Sequence, residues 1–497
     1  MPSADTVDLQ ASGRPRWPTL LAVHAVVWTL AAWLSRGNLD MPGDMVENYV
    51  WGMGWQAGYD SHPPLFAWIA AAWFSVMPRS DWAYYALSSL NAALGIAGVY
   101  LLARRFVSNE GALAAAAALA VSPLYTALAI KFNANAVLLS VWPWAAYHFV
   151  VFMQAGRLRN AAACGALVGL AMLGKYFSVV LALALTVTAL AVPPWRQRLR
   201  GAGPWVAIAA FAIVLAPHVA WLSEHQYASL HYAQRRSQGS LAPALMRLAT
   251  YSAAQIGYLL PSAALLIGAV PAGQRAAAAA LIARSVGRPA LQRQLWWLAL
   301  APMLVVASIA ILRRVPMASV WGMAQWFAAT TLWVAVWRSH GIAVRGTWIR
   351  RALPLYWAAV LLVALAVGYV EARRATVSAS EPRAELAHAA HAMWRERTGG
   401  ALEFVAGSVA EARSVAFYSP GKTYWWNPAA PQTTPWVSPA QWEQAGGMFV
   451  CTESDAGCKQ SAQAMAATPP VRVTVHKKAW GFALPARSYL LYFKLPA

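Results

Sequence analysis

Charge is what this sequence has least of. Only 11% of its 497 residues are Asp, Glu, Lys or Arg, while 59% are hydrophobic, which excludes an ordinary soluble protein of two or three domains. Acids are the scarcer sign, with 18 Asp and Glu against 39 Lys and Arg. That excess does not call for nucleic acid, because the basic residues sit in short clusters between apolar runs, the positive-inside pattern of a membrane protein. Cysteine is nearly missing: Cys164 lies in an apolar run, and Cys451 and Cys458 share a polar C-terminal segment, where a disulfide would require an oxidising compartment. No heptad array or fixed-period repeat is present. No small-residue cleavage pattern follows the first apolar run, residues 17–34, so that run is expected to stay as an uncleaved span.

What is there is a series of apolar segments. They cover residues 17–34, 63–77, 83–102, 111–130, 136–153, 161–174, 177–192, 205–222, 249–270, 295–312, 319–337 and 352–370, against the roughly 20 helical residues that a bilayer core requires. If all of them crossed, Arg104, Arg105, Arg157, Arg159, Arg196, Arg198, Arg200 and the run 338–351 would face away from Arg14 and Arg16. If 63–77 does not cross, every one of these clusters joins the N-terminus on the cytoplasmic side. That segment is short and begins with two prolines, as suits a re-entrant or interfacial helix. The expectation is about eleven spans: an all-α polytopic membrane domain over 17–370, a cytoplasmic N-terminus over 1–16, and a small α/β outer domain over 371–497. In that outer domain 385–397 reads as an amphipathic helix, and 414–418, 448–451, 471–475 and 489–493 read as strands.

The first outer loop holds the densest polar cluster. Asp40, Asp44 and Glu47 fall within eight residues, and Tyr59, Asp60 and His62 follow about a dozen positions on. Asp44 follows Pro42-Gly43 and can cap a helix, with Glu47 at the capping-box position. Alternatively, a helix held at the membrane surface by Trp51 and Trp55 would present the Asp44 carboxylate to a cavity as a general base, with Glu47 beside it. His62 precedes Pro63-Pro64; its imidazole can bond a phosphate, ligate a metal together with Asp60, or only cap. Tyr59, Asp60, Asn133 and Asn135 are candidate sugar or acceptor contacts, and capping is the plainer reading of the two amides.

Cations on the outer side are the second signal, since they are depleted there. Lys131, Lys175, Arg235, Arg236, Arg313 and Arg314 all fall outside in the eleven-span arrangement. A phosphate headgroup at the membrane surface needs such partners. Snorkelling to the interface accounts for Lys131 and one of each Arg pair. Lys175 does not fit that account, because it sits in Gly174-Lys175-Tyr176, a tight turn between apolar helices, where a charge must face a cavity or partner.

The first loop, with Gly43-Asp44 and Glu47, then Gly58-Tyr59 and His62-Pro63-Pro64-Leu65, resembles glycosyltransferase family 39, the bacterial relatives of protein O-mannosyltransferase and lipid A aminoarabinose transferase. Ser122-Pro123, Phe132-Asn133-Ala134-Asn135, Gly174-Lys175-Tyr176, the stretch 218–221 and Tyr232-Ala233 follow in order. The resemblance implies a GT-C fold with juxtamembrane helices. It implies inverting transfer of a sugar from a polyprenyl-phosphate carrier on the outer face of a bacterial inner membrane, to a membrane lipid or glycan acceptor. It matches Asp44 to the family's first-loop catalytic Asp and His62 to a carrier-phosphate contact. Lys175, His62 and Arg235 or Arg236 would then stabilise the leaving phosphate. The sequence departs from the pattern with Ser61 where one branch carries a metal-linked Glu, so no metal cofactor is assigned. A lipid-linked donor fits the lack of a Gly-rich nucleotide loop or GKS/T motif.

Two other readings compete. A secondary transporter suits eleven or twelve spans, but transporters place ionisable residues near the midplane of two related halves, and no second copy of the first loop exists here. An assembly subunit would use the outer domain as a binding module.

Overall fold

The computed structural model describes residues 17–40, 43–466 and 468–497. Arg14 and Arg16, which anchor the orientation argument, and Met41-Pro42 of the first loop lie outside the described residues. Among those described, five helices are long and apolar enough to cross a membrane: Trp17–Ser35, Asp81–Ala103, Gly203–Glu224, Arg293–Leu312 and Gly346–Arg373. The shortest has 19 residues, about 28 Å of helix against about 30 Å of hydrocarbon. Lipid is a fitting solvent for their outer faces, since Trp205, Ile208, Ile213 and Val219 stand exposed on Gly203–Glu224. The protein is a multi-pass membrane protein.

Some other segments expected to span are shorter, although 249–270 lies mostly in the 28-residue helix Leu241–Gly268. The run 111–130 is a helix only over Asn109–Ala120, then turns at Ser122-Pro123 into irregular backbone as far as Val137. The run 319–337 is a short turn followed by Ala329–Ser339. Nearly all of Asn109–Ala120 and of Ala329–Ser339 is buried inside the bundle. Irregular backbone is tolerated at membrane depth only where protein covers it and supplies its hydrogen bonds. Here His24 bonds the Tyr125 carbonyl at 3.0 Å, Asn48 donates to the Phe132 carbonyl at 2.7 Å, and Asn91 to that of Ala136 at 2.7 Å. The stretch carrying Lys131, Asn133 and Asn135 is thereby fixed by side chains from three helices.

The segment 63–77 forms Leu65–Phe74, ten residues and about 15 Å long, half of what a crossing needs. It packs on the helix Asp44–Gly52 at Gly52, where a Cβ would strike the backbone carbonyl of Ala67. No larger residue allows that approach. Beyond Gly346–Arg373 the chain leaves the membrane helices for Arg383–Thr398 and a five-stranded sheet. Its strands are β1 (Phe404–Gly407), β2 (Tyr424–Trp425), β3 (Gly447–Thr452), β4 (Val471–Val475) and β5 (Arg487–Lys494). They lie in the order β2-β1-β3-β5-β4, parallel across β2, β1 and β3, and antiparallel across β3, β5 and β4. Cys451 of β3 is disulfide-bonded to Cys458 on the next helix, Ala456–Met465.

One expected strand is wrong. Residues 414–418 belong to the helix Val409–Tyr418, and Ser414 to Tyr418 are all buried. An apolar run covered on every side shows no period that separates strand from helix. Phe417 of this helix lies 5.1 Å from both the Tyr49 and Phe74 rings and 5.6 Å from that of Tyr84. The apolar core therefore continues from the membrane helices into the C-terminal part without a break.

Candidate functional site

The acidic loop is built around Asp40. Gly43 precedes the helix Asp44–Gly52 with φ 106°, a left-handed conformation that glycine adopts without strain, and gives no side-chain cap. The Asp40 carboxylate caps the helix instead, accepting from the backbone N–H of Asp44 at 2.9 Å and of Met45 at 2.8 Å. Its charge also suits the positive end of the helix dipole. Asp44 is thus relieved of capping. The Lys131 ammonium bridges the two acids, 2.9 Å from Asp40 Oδ2 and 2.8 Å from Asp44 Oδ2. Lys131 is a buttress of the site and not a snorkelling residue. Burial alone would lower its pKa, but Asp44 and Asp40 together raise it, so it remains an ammonium. Asp40, Asp44, Lys131, Asn133, Asn135, Arg36 and Asn38 line a cavity of about 520 Å³.

Glu47 lies elsewhere. Its carboxylate is 2.7 Å from Arg413 of Val409–Tyr418, turned to the C-terminal part and away from that cavity's lining. Burial raises its pKa, Arg413 opposes the rise, and Asp44 and Asp40 add to it.

A second cavity, about 510 Å³, gathers the expected phosphate ligands. His62, Lys175 and Arg236 line it with Tyr176, Tyr232 and Trp321. Burial, then the nearby Lys175 and Arg236 charges, bring the His62 pKa down to about 4, so the imidazole is neutral at physiological pH. Burial brings Lys175 down to about 7. The Lys175 ammonium lies 4.9 Å over the Trp321 ring and donates to Asn135 Oδ1 at 2.5 Å. Asn135 therefore belongs to the first cavity's wall and holds the principal cation of the second.

Three separate elements supply these groups, and one network clamps them together. His218 Nδ1 is 2.7 Å from the Ala57 carbonyl, which can only accept, so that nitrogen carries the proton. Its Nε2 then accepts from the Tyr176 hydroxyl at 2.7 Å, and Tyr176 accepts from Ser229 at 2.6 Å. The loop before His62, the turn of Lys175 and the helix Ala228–Arg236 are tied by these bonds.

The remaining candidates stand apart. Tyr59 is 3% exposed, stacks on Trp51 and donates its hydroxyl to the Trp51 carbonyl at 2.8 Å, so it is structural and cannot meet a sugar. Asp60 is exposed and lines neither cavity. Asn133 accepts from the Asn135 and Ala136 N–H groups, the capping option, although it does reach the first cavity. Arg235 is exposed outside the second cavity, while Arg236 lines it, 5.5 Å over Tyr232. A divalent metal does not fit these donors. Among the described residues no three His, Cys, Asp or Glu side chains gather, His62 stands beside two cations, and an ammonium holds the place between Asp40 and Asp44.

Sequence reading took Lys131 for a snorkelling residue and missed Trp321 and Arg413. The four-residue spacing of Asp40 and Asp44 hints at a shared partner, but nothing local signals Arg413.

Known proteins resemble this chain in part of its sequence and in its fold. Residues 61–221 match the family model of dolichyl-phosphate-mannose-protein mannosyltransferase, a stretch that takes in His62, Lys131, Asn135, Lys175 and His218 but not Asp44. The chain is 25% identical over 251 residues to the lipid A galacturonosyltransferase RgtD of Rhizobium johnstonii, a match covering 50% of this chain. It spans about half, 52%, of that curated relative's length. Among solved structures, ArnT from Cupriavidus metallidurans bound to undecaprenyl phosphate superposes with a TM-score of 0.50 at 16% identity, over 97% of this chain and 98% of that one. That likeness shows the fold. An oligosaccharyltransferase from Archaeoglobus fulgidus gives a TM-score of 0.46 at 14% identity, over 87% and 68%. The family-model match over residues 61–221 and the curated relative agree with the resemblance to family 39 over the stretches they cover.

Proposed function

We propose, taking a family 39 glycosyltransferase chain of GT-C fold as the premise, that it moves a sugar from a polyprenyl-phosphate carrier to a lipid or glycan acceptor. In this reading the site faces the outer side of a bacterial inner membrane, and the C-terminal part lies on that side. The observation that carries the reading is the junction at Asn135. Asn135 lines the carboxylate cavity and accepts from the Lys175 of the cationic cavity, so a base and a phosphate cradle are coupled through one side chain. The solved structure of the same fold holds undecaprenyl phosphate, and the curated relative is named for lipid A, which supports the carrier and a lipid acceptor.

In this mechanism Asp44 takes the proton from an acceptor O–H as the oxygen attacks the anomeric carbon. The bond from that carbon to the phosphate oxygen breaks on the opposite face, so the configuration inverts, and its electron pair leaves with the carrier phosphate. Lys175, Arg236 and an N–H of neutral His62 stabilise the charge that develops there. Lys131 keeps Asp44 aligned, and the fixed positions of all these groups lower the cost of orienting them.

Membranes supplied with polyprenyl-phosphate sugars test the reading. Asp44→Asn should reduce transfer by about 10²- to 10⁴-fold. Full activity in that variant would remove Asp44 as the base. Mass spectrometry of envelope glycans from a deletion strain and its parent then identifies the sugar and the acceptor.

A further inference from the structure

The helix Val409–Tyr418 comes from the far end of the chain, yet it holds the acidic loop. Arg413 Nη1 is 2.7 Å from Glu47 Oε1, with the two side chains 17% and 23% exposed. The guanidinium also lies 4.2 Å over the Trp425 ring of β2, and its Nε is buried with no hydrogen-bond partner. Around this pair the C-terminal part grips the loop repeatedly. Asn38 donates to the Ser378 and Glu381 carbonyls at 2.7 and 3.0 Å, and Arg383 donates to the Asp40 carbonyl at 3.2 Å. Arg79, at the foot of the next long helix, donates to the Pro420 and Gly421 carbonyls at 2.9 and 2.6 Å.

We propose that Arg413 is a positioning residue for the transfer reaction: by neutralising Glu47, it lets the C-terminal part set the charge and the place of the Asp44 carboxylate. The inference rests on Asp44 acting as the base. Asp44 and Glu47 are i,i+3 neighbours on one helix and so stand on the same face of it. Asp44 adds to the upward push on the Glu47 pKa, so the two carboxylates repel each other. The charged groups facing them are Asp40 from the same loop, Lys131 from the stretch before Leu138–Ala155, Arg413 from Val409–Tyr418, and Arg36 at the cavity rim. Lys131 already serves two acids, so Arg413 is the cation left for the third. Without it, the buried Glu47 would take up a proton and release the helix that carries Asp44 from Val409–Tyr418.

A buried ion pair is often only structural, so the test reads a property that packing does not move. The full chain is purified in detergent, and transfer from a polyprenyl-phosphate sugar is followed as kcat and donor KM against pH. In Arg413→Ala kcat should fall about tenfold through loss of the buried pair, while donor KM stays as in the wild type. Arg413→Lys should restore most of kcat. Glu47→Gln leaves the Arg413 charge unpaired near Asp44 and should lower the acid limb of kcat, a shift that adding Arg413→Ala should undo. Glu47→Gln keeps the test alive if Arg413→Ala does not fold, as apparent Tm will show. An unmoved limb in Glu47→Gln together with an unchanged kcat in a folded Arg413→Ala overturns the inference. Asp44→Asn runs in the same assay: if it is active, the base assignment itself falls, and if it is inactive while that limb and that kcat stay put, only the role of Arg413 falls.

Discussion

Lys131 shows how much one side chain decides in this site. Its partner Asp40 has a side chain only 4% exposed, so removing the ammonium leaves a nearly buried carboxylate with backbone N–H donors alone. Lys131→Ala should lower kcat about 10- to 100-fold, the worth of a hydrogen bond to a charged group, and Lys131→Arg should keep most of the activity. Lys175 makes a pH prediction. An ammonium brought down to about 7 by burial is charged below that pH and increasingly neutral above it. Binding an anionic donor favours the charged form, so donor KM should rise as pH climbs past about 7, by at most about tenfold per pH unit. Lys175→Arg, charged throughout, should flatten that rise, and Lys175→Ala should raise donor KM about 10- to 100-fold at neutral pH. The sequence pointed to Lys175 because an isolated cation between two apolar helices is conspicuous. It misjudged Lys131, which looks like any cation at a span end until its two acids are in place around it.

At the scale of elements, the helices Asp44–Gly52 and Leu65–Phe74 form one unit. The first presents Asp44, and the second follows directly on His62-Pro63-Pro64. Their contact at Gly52 leaves no room for a side chain. Gly52→Val should destabilise the protein by about 1–3 kcal/mol through overpacking, seen as a lower apparent Tm. It should also reduce transfer while leaving Asp44 and His62 in the sequence. Proline pairs and segment length made the short helix at 65–74 legible. The capping of Asp44–Gly52 was not, because Asp40 reaches the helix start from outside the standard cap position. Nor was Val409–Tyr418, whose buried face is explained by Tyr49, Phe74 and Tyr84, residues more than 300 positions away.

For the whole molecule, charge asymmetry and apolar length told what kind of protein this is, and they placed 63–77 outside the set of spans. They overstated the regularity of the bundle. Segments such as 111–130 look like full spans because covered backbone needs no polar sequence around it, while the side chains that satisfy it, His24, Asn48 and Asn91, sit in other helices. The orientation can be measured. A topology reporter fused after Met77 should give an outer-side signal, and a cytoplasmic one would overturn the eleven-span arrangement together with the site built on it.

Distant parts of the chain meet beside the site. Lys477 contacts Asn38 Oδ1 at 3.3 Å, at a sequence separation of 439. During synthesis the acidic loop emerges early, yet it lacks Arg413 until fewer than a hundred residues remain to be made. A nascent or truncated chain therefore holds its reactive carboxylates in an unfinished setting, and competence arrives as a late step of biogenesis.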